Sequence, residues 1–213
     1  RREAAEALAN LRRRGLLGDA EDYVRLMQAL GKRAMWTEAR PLLLEMRFRG
    51  LRPPVVAYTT AAEFHLKAHK PELAVQVLEE MWQRPGLRPG AVDCTDLIRT
   101  CGQAHEWDLA VGILEAMRQH DVEANVITYS ATISACTGGE QWDLALQILE
   151  EMQQQSVVPN VITYSAAISA CEKAKQWERA LHLLGEMRER VCIPNVVTYN
   201  ALISACEKGE QWE

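Results

Sequence analysis

A period of 35 residues runs through this chain and leaves few architectures open to it. Asn125 to Pro159 reads NVITYSATISACTGGEQWDLALQILEEMQQQSVVP and Asn160 to Pro194 reads NVITYSAAISACEKAKQWERALHLLGEMRERVCIP, with 19 of the 35 aligned positions identical. Trp107, Trp142, Trp177 and Trp212 keep the spacing, as do Met117, Met152 and Met187, and Cys101, Cys136, Cys171 and Cys206; Trp36 and Met46 show the same Trp-to-Met interval near the start. Successive units run over 20–54, 55–90, 91–125, 126–160 and 161–195, flanked by half units at 1–19 and 196–213. The second unit is 36 residues long, and its extra residue falls between Met81 and Pro89, where Arg84-Pro85-Gly86 predicts a loosened turn.

Within a unit the apolar spacing is helical. Ile162, Tyr164, Ala167, Ile168 and Cys171 follow at steps of two to four, and Trp177, Ala180, Leu181, Leu184 and Met187 do the same. Two amphipathic helices per unit follow, separated by a turn over 173–176, with Pro194 ending the second because proline cannot continue a helix. One helical pair cannot bury its own apolar face, whereas stacked pairs can, so the expected fold is an all-α solenoid of stacked antiparallel helix pairs with a concave surface. The Trp, Met and Cys columns are expected to form its core.

Composition narrows the functions. Hydrophobic residues make up 48% and charged residues 25%, so the chain has the means to build a core. The stretch from Val122 to Ala135 is interrupted by Glu123, Asn125 and Ser130, short of the ~20 apolar residues of a membrane span. Net charge is -5 but uneven: residues 1–54 carry 12 Lys+Arg against 7 Asp+Glu, and the acidic excess lies beyond them. A basic end thus remains beside an acidic body. The chain starts at Arg1-Arg2-Glu3 without a leader pattern and stops at Gln211-Trp212-Glu213 in mid-repeat, and it reads as a piece of a longer protein. Six Cys without any CxxC support neither a zinc knuckle nor a thioredoxin-like motif. His65 and His69 are spaced like ligands on one helix face, yet no HExxH is present and His65 takes the place of Cys in its column, so a core role is expected and no metal. No triad, paired-acid site or glycine-rich phosphate loop is present, and neither catalysis nor a cofactor is expected.

Tetratricopeptide units of ~34 residues and ankyrin units of ~33 carry signatures absent here. The unit with Val-Val-Thr-Tyr-Asn-Ala-Leu-Ile-Ser-Ala-Cys at 196–206, Glu-Glu-Met at 150–152 and Pro-Asn at 159–160 resembles the pentatricopeptide repeat family, in its pure 35-residue class. The resemblance covers the whole chain and is sharpest over 126–195. It implies a right-handed α-solenoid superhelix that binds single-stranded RNA, one base per repeat, in mitochondria or chloroplasts, serving RNA processing, stability or translation alongside other proteins of an organellar complex.

The same resemblance implies residue roles. The second residue of a unit packs against a base: Val56, Val92, Ile127, Ile162 and Val197. The fifth residue and the last select it: Thr95 with Asn125, Ser130 with Asn160 and Ser165 with Asn195, with Thr59 and Asn200 in the flanking units. A hydroxyl and a carboxamide together can read a base edge. Three Ser/Thr-Asn pairs in succession imply an A-A-A core, and Asn200 a pyrimidine on its 3′ side. A lysine near the end of the first helix lies close to the RNA backbone; Lys32, Lys67, Lys173 and Lys208 hold that place, while Gln103 and Gly138 do not.

The first two complete units depart from the pattern. Val24 pairs with Pro54, Thr59 with Gly90, and Glu21 stands where a packing aliphatic belongs. Plainer roles stand beside the specific ones: the Asn residues precede a helix and suit N-caps, the Ser/Thr column suits an exposed polar face, and the lysines and Arg12-Arg13-Arg14 suit solvated helix ends. The same concave surface could instead hold a protein partner in a larger assembly.

Overall fold

A computed structural model of the chain describes residues 17–33, 35, 38–139 and 141–209. Residues 1–16 of the first half unit, with its arginine run, and Trp36 and Trp212 lie outside the described residues. The described residues form eleven helices and no strand. In chain order they are α1 (Ala20–Lys32), α2 (Ala39–Phe48), α3 (Val55–Lys67), α4 (Pro71–Trp82), α5 (Ala91–Ala104), α6 (Trp107–Gln119), α7 (Val126–Gly138), α8 (Trp142–Gln154), α9 (Val161–Lys173), α10 (Trp177–Glu189) and α11 (Val196–Lys208).

Local chemistry starts and stops these helices. Asn125, Asn160 and Asn195 hold extended backbone just before α7, α9 and α11, and each side-chain oxygen accepts from the first-turn N–H groups. Pro71 opens α4, where a missing N–H costs nothing. A residue of positive φ stands two positions beyond α2, α6, α8 and α10, namely Gly50, Asp121, Ser156 and Val191, and Gly86 follows four positions beyond α4. Gly86, at φ 84, sits in the loosened turn expected from the 36-residue unit.

The chain forms two compact units, 1–89 and 90–213. In the second, the first helices of successive repeats, α5, α7, α9 and α11, lie side by side in a row, and each second helix packs against its own first helix and the next one. This is the stacking of an α-solenoid. Its core is continuous across repeats, running through Ile133, Cys136, Met152, Tyr164, Ile168, Cys171 and Met187. The first unit repeats the pairing in α1 to α4 around Tyr23, Met27, Met46, Tyr58 and Met81.

A polar tie recurs behind this core. Tyr129 donates to Glu151 at 3.2 Å while Arg118, from the preceding second helix, pairs with the same carboxylate. Tyr164 likewise donates to Glu186 at 3.0 Å, which also receives Gln153. Tyr58, Glu80 and Arg47 form the equivalent in the first unit. Burial, then Glu151, pushes the Tyr129 phenol up to about 12, so it stays a proton donor.

The Met and Cys columns occupy the core as expected; burial pushes the Cys101 thiol up to about 12 and those of Cys136 and Cys171 to about 11, which keeps them protonated. Trp departs from the expectation. Trp107, Trp142 and Trp177 are half-buried, because each begins a second helix and its ring lies at the edge of the stack. The Trp107 and Trp177 rings cover the turns at Gly139 and Gly209 so closely that a Cβ there would run into the indole. Cys206, on α11, is also half-buried rather than enclosed.

Candidate nucleic-acid interface

The first helices carry the candidate residues, and their N-terminal turns decide what each can do. Val92, Ile127, Ile162 and Val197, the second residues of their units, are exposed apolar side chains, with Ile127 at 55% and Ile162 at 63%. Three positions on, Thr95, Ser130 and Ser165 are buried. One residue before the helices come Asn125 and Asn195, exposed, and Asn160, half-exposed.

The compact unit 90–213 gathers these groups at one place. Ile127, Ser130, Asn160 and Ile162 line a common pocket of ≈ 430 Å³, together with Ser134, Gln103 and Arg99. Its volume falls in the range of small-ligand sites. Two branched aliphatics, a hydroxyl, a carboxamide and a guanidinium thus share one lining. Such a set can sandwich a flat ring and hydrogen-bond its edge.

The polar groups are tightly engaged. Ser130 Oγ lies 2.7 Å from the Val126 carbonyl oxygen and 2.7 Å from Thr163 Oγ1 of the following repeat. Thr95 does the same with Ala91 and Thr128, and Ser165 pairs with Thr198. Asn160 Oδ1 accepts from the backbone N–H of Ile162 at 2.9 Å and of Thr163 at 3.0 Å, and lies 3.1 Å from the Thr163 hydroxyl. Asn125 repeats that pattern with Ile127 and Thr128. The Asn column therefore does cap helices, and the capping uses only the oxygen. The Ser/Thr column is not a merely exposed polar face, since its hydroxyls are buried and cross-linked between repeats.

The lysine column has protein partners. Lys173 donates to the Thr137 carbonyl at 3.1 Å. Lys208 pairs with Glu172 at 2.6 Å, where Ser204 also donates. Burial alone would raise the Glu172 carboxyl, but the Lys208 and Ser204 hydrogen bonds outweigh it and hold it below the usual carboxylate value. Lys67 faces Glu63 at 3.8 Å, and Lys32 is exposed at the end of α1. Sequence spacing did not single out Arg99, which lines the pocket, because it stands four residues before Gln103 and so outside the lysine column. Arg99 pairs with Asp96 at 3.2 Å with both side chains more than half exposed, so the pair gives up little when the guanidinium turns elsewhere.

Elsewhere the candidates separate. Thr59 donates to Val56 within α3, and its sequence partner Gly90 offers no side chain. Val56 is partly exposed, and Asn200 is exposed on α11. Glu21 pairs with Arg25 one turn on in α1. His65 is buried, whereas His69 lies beyond the end of α3 with φ 54, so the two do not share a helix face. Among the described residues no His/Cys/Asp/Glu group is arranged to hold a metal, and no helix is long and apolar enough to cross a membrane.

Comparison with known proteins gives the family. A family model described as a pentatricopeptide repeat domain matches residues 82–139 and 147–208, and a second, a PPR repeat, matches 127–157. No curated protein sequence matches the chain. Among solved structures, the pentatricopeptide repeat protein PPR10 from maize is similar at 29% identity and a TM-score of 0.75, over 93% of this chain and 28% of that one. PPR10 in complex with an 18-nt psaJ RNA element is 32% identical at a TM-score of 0.71, over 98% of this chain and 31% of that one. The PPR domain of Arabidopsis thaliana protein-only RNase P 1, in complex with tRNA, shares the fold at 15% identity and a TM-score of 0.62, over 86% of this chain and 96% of that one. The chain thus spans less than a third of PPR10. With its repeat period, its stacked helix pairs and these family matches over more than half its length, the chain belongs to the pentatricopeptide repeat family.

Proposed function

We propose that this chain binds single-stranded RNA in a sequence-dependent way, reading successive bases along α5, α7, α9 and α11 with a preference for an A-rich core. The observation that carries the reading is the pocket lined together by Ile127, Ile162, Ser130 and Asn160. Apolar side chains on both faces of a ring favour stacking, and the polar pair meets its edge, which is how single-stranded RNA is read by helical repeats. The likeness to PPR10 bound to an 18-nt RNA supports it.

The base-packing role belongs to Val92, Ile127, Ile162 and Val197, with Val56 earlier, and the selecting role to Thr95/Asn125, Ser130/Asn160 and Ser165/Asn195. Arg99 supplies a cation where Gln103 and Gly138 replace lysine, and Lys173 and Lys208 must exchange protein partners to meet phosphate. The chain's part is recognition, with any chemistry left to other components, and the setting is an organellar transcript. At ~1 to 3 kcal/mol per stacked base, three readers supply ~3 to 9 kcal/mol before costs, in the millimolar to sub-micromolar range.

Fluorescence anisotropy at low salt with short single strands carrying central AAA, GGG, CCC or UUU tests this. AAA is expected to bind tightest. No binding, or equal binding of all four, contradicts it and points to a protein partner instead.

A further inference from the structure

Each selecting pair is made by one repeat, yet the residue that joins its two members comes from the next. Thr163 lies between Ser130 and Asn160, 2.7 Å from the serine oxygen and 3.1 Å from Asn160 Oδ1. Thr128 stands likewise between Thr95 and Asn125, and Thr198 between Ser165 and Asn195. All three threonines are fully buried, so water does not compete for these bonds. We propose that Thr128, Thr163 and Thr198 are positioning residues that fix which hydrogen-bonding face each selecting pair turns toward the base. This rests on the RNA reading above.

Counting protons makes the case. Backbone N–H groups can only donate, so the Asn160 atom facing Ile162 and Thr163 is the oxygen, and the amide NH₂ is left as the outward group. Ser130 and Thr163 own two hydroxyl protons between them. Two hydroxyl oxygens 2.7 Å apart need a proton between them. If Ser130 supplies it, the Thr163 proton goes to Asn160 Oδ1. If Thr163 supplies it, the Ser130 proton goes to the Val126 carbonyl. Either way the serine has no proton left for a base and offers only a lone pair. The pair then presents one donor, Asn160 Nδ2, beside one acceptor, Ser130 Oγ. Adenine, with a ring nitrogen that accepts beside an amino group that donates, matches such a face. A serine released from Thr163 can donate as well, and a keto oxygen becomes an acceptable partner.

The test uses the whole chain with Thr163→Val, which keeps shape and removes the hydroxyl, and Thr163→Ser, which restores it. Thr198→Val repeats the change at the Ser165/Asn195 pair should Thr163→Val fold poorly, and melting curves establish which variants are folded. Anisotropy with central AAA and GGG strands reads selection; NMR relaxation of the Asn160 side-chain amide, without RNA, reads positioning. In Thr163→Val the AAA over GGG ratio is expected to fall roughly threefold to tenfold and the amide to become more mobile, while Thr163→Ser retains both. An amide and a ratio unchanged by valine overturn the proposal, as does a serine variant that behaves like valine. If the unaltered chain discriminates no bases, the RNA reading falls and the selection half of the proposal with it; a mobile amide in the valine variant then still upholds the positioning half.

Discussion

At the scale of single residues, the repeat makes exceptions visible. His65 fills the column that Cys101, Cys136 and Cys171 occupy elsewhere; it is 4% exposed, and its Nε2 has no hydrogen-bond partner. Burial first, then the positive charges of Arg40 and Lys70, pushes its pKa below the usual 6.5. The unfolded chain then binds a proton more readily than the folded one. The stability this residue permits is therefore full above the unfolded value and drains away as pH falls toward the folded one. His65→Cys is expected to stabilise the chain by ~1 to 3 kcal/mol, removing an unsatisfied buried polar atom. It should also flatten the fall in melting temperature between about pH 7 and about pH 5. Parallel pH profiles for the two proteins contradict this account. The Cys column identified the position as core in the sequence; the missing partner of Nε2 did not show there, because it depends on neighbours distant in the chain.

At the scale of helices, the period was a strong guide and the ends were weaker. Helical spacing over 161–172 and 177–187 corresponds to α9 and α10, and the turn between them is where a stretch without that spacing was expected. The identity of the residue closing each second helix was not legible as a problem. Val191 stands two positions beyond α10 with φ 57 at 85% exposure, in the place of Gly50, Asp121 and Ser156. A β-branched residue in the left-handed region is strained by ~1 to 2 kcal/mol, and an exposed one gains little packing in return. Val191→Gly is expected to raise stability in urea by about 1 kcal/mol, despite glycine's greater freedom in the unfolded chain. Unchanged or lower stability contradicts the strain. The tryptophans differ in a related way: their spacing placed them in the core, but Trp107 and Trp177, each opening a helix, cover the neighbouring turn instead.

At the scale of the whole chain, the residues suited to base reading concentrate in 90–213, while 20–54 carries Glu21, Val24 and Pro54 in the corresponding places. Repeat proteins gain stability from neighbour-to-neighbour contacts, and the proposed selecting pairs are linked the same way, with a threonine of one repeat against the hydroxyl of the one before. The sequence displays the columns but not these links, since a bond between positions 33 residues apart exists only once the repeats are stacked. The same stacking brings Arg99 to the pocket of Ile127 and Asn160. Base selection by the Asn column is the central claim, and aspartate tests it cleanly. Aspartate caps a helix as well as asparagine does, so the fold is kept, while the outward amide donor becomes an acceptor. The decisive measurement is anisotropy of the Asn160→Asp, Asn195→Asp double variant with central AAA and GGG strands. The account predicts that preference moves from AAA toward GGG, whose Watson–Crick edge donates where adenine accepts. Unchanged preference, or an equal loss for both strands, would contradict it.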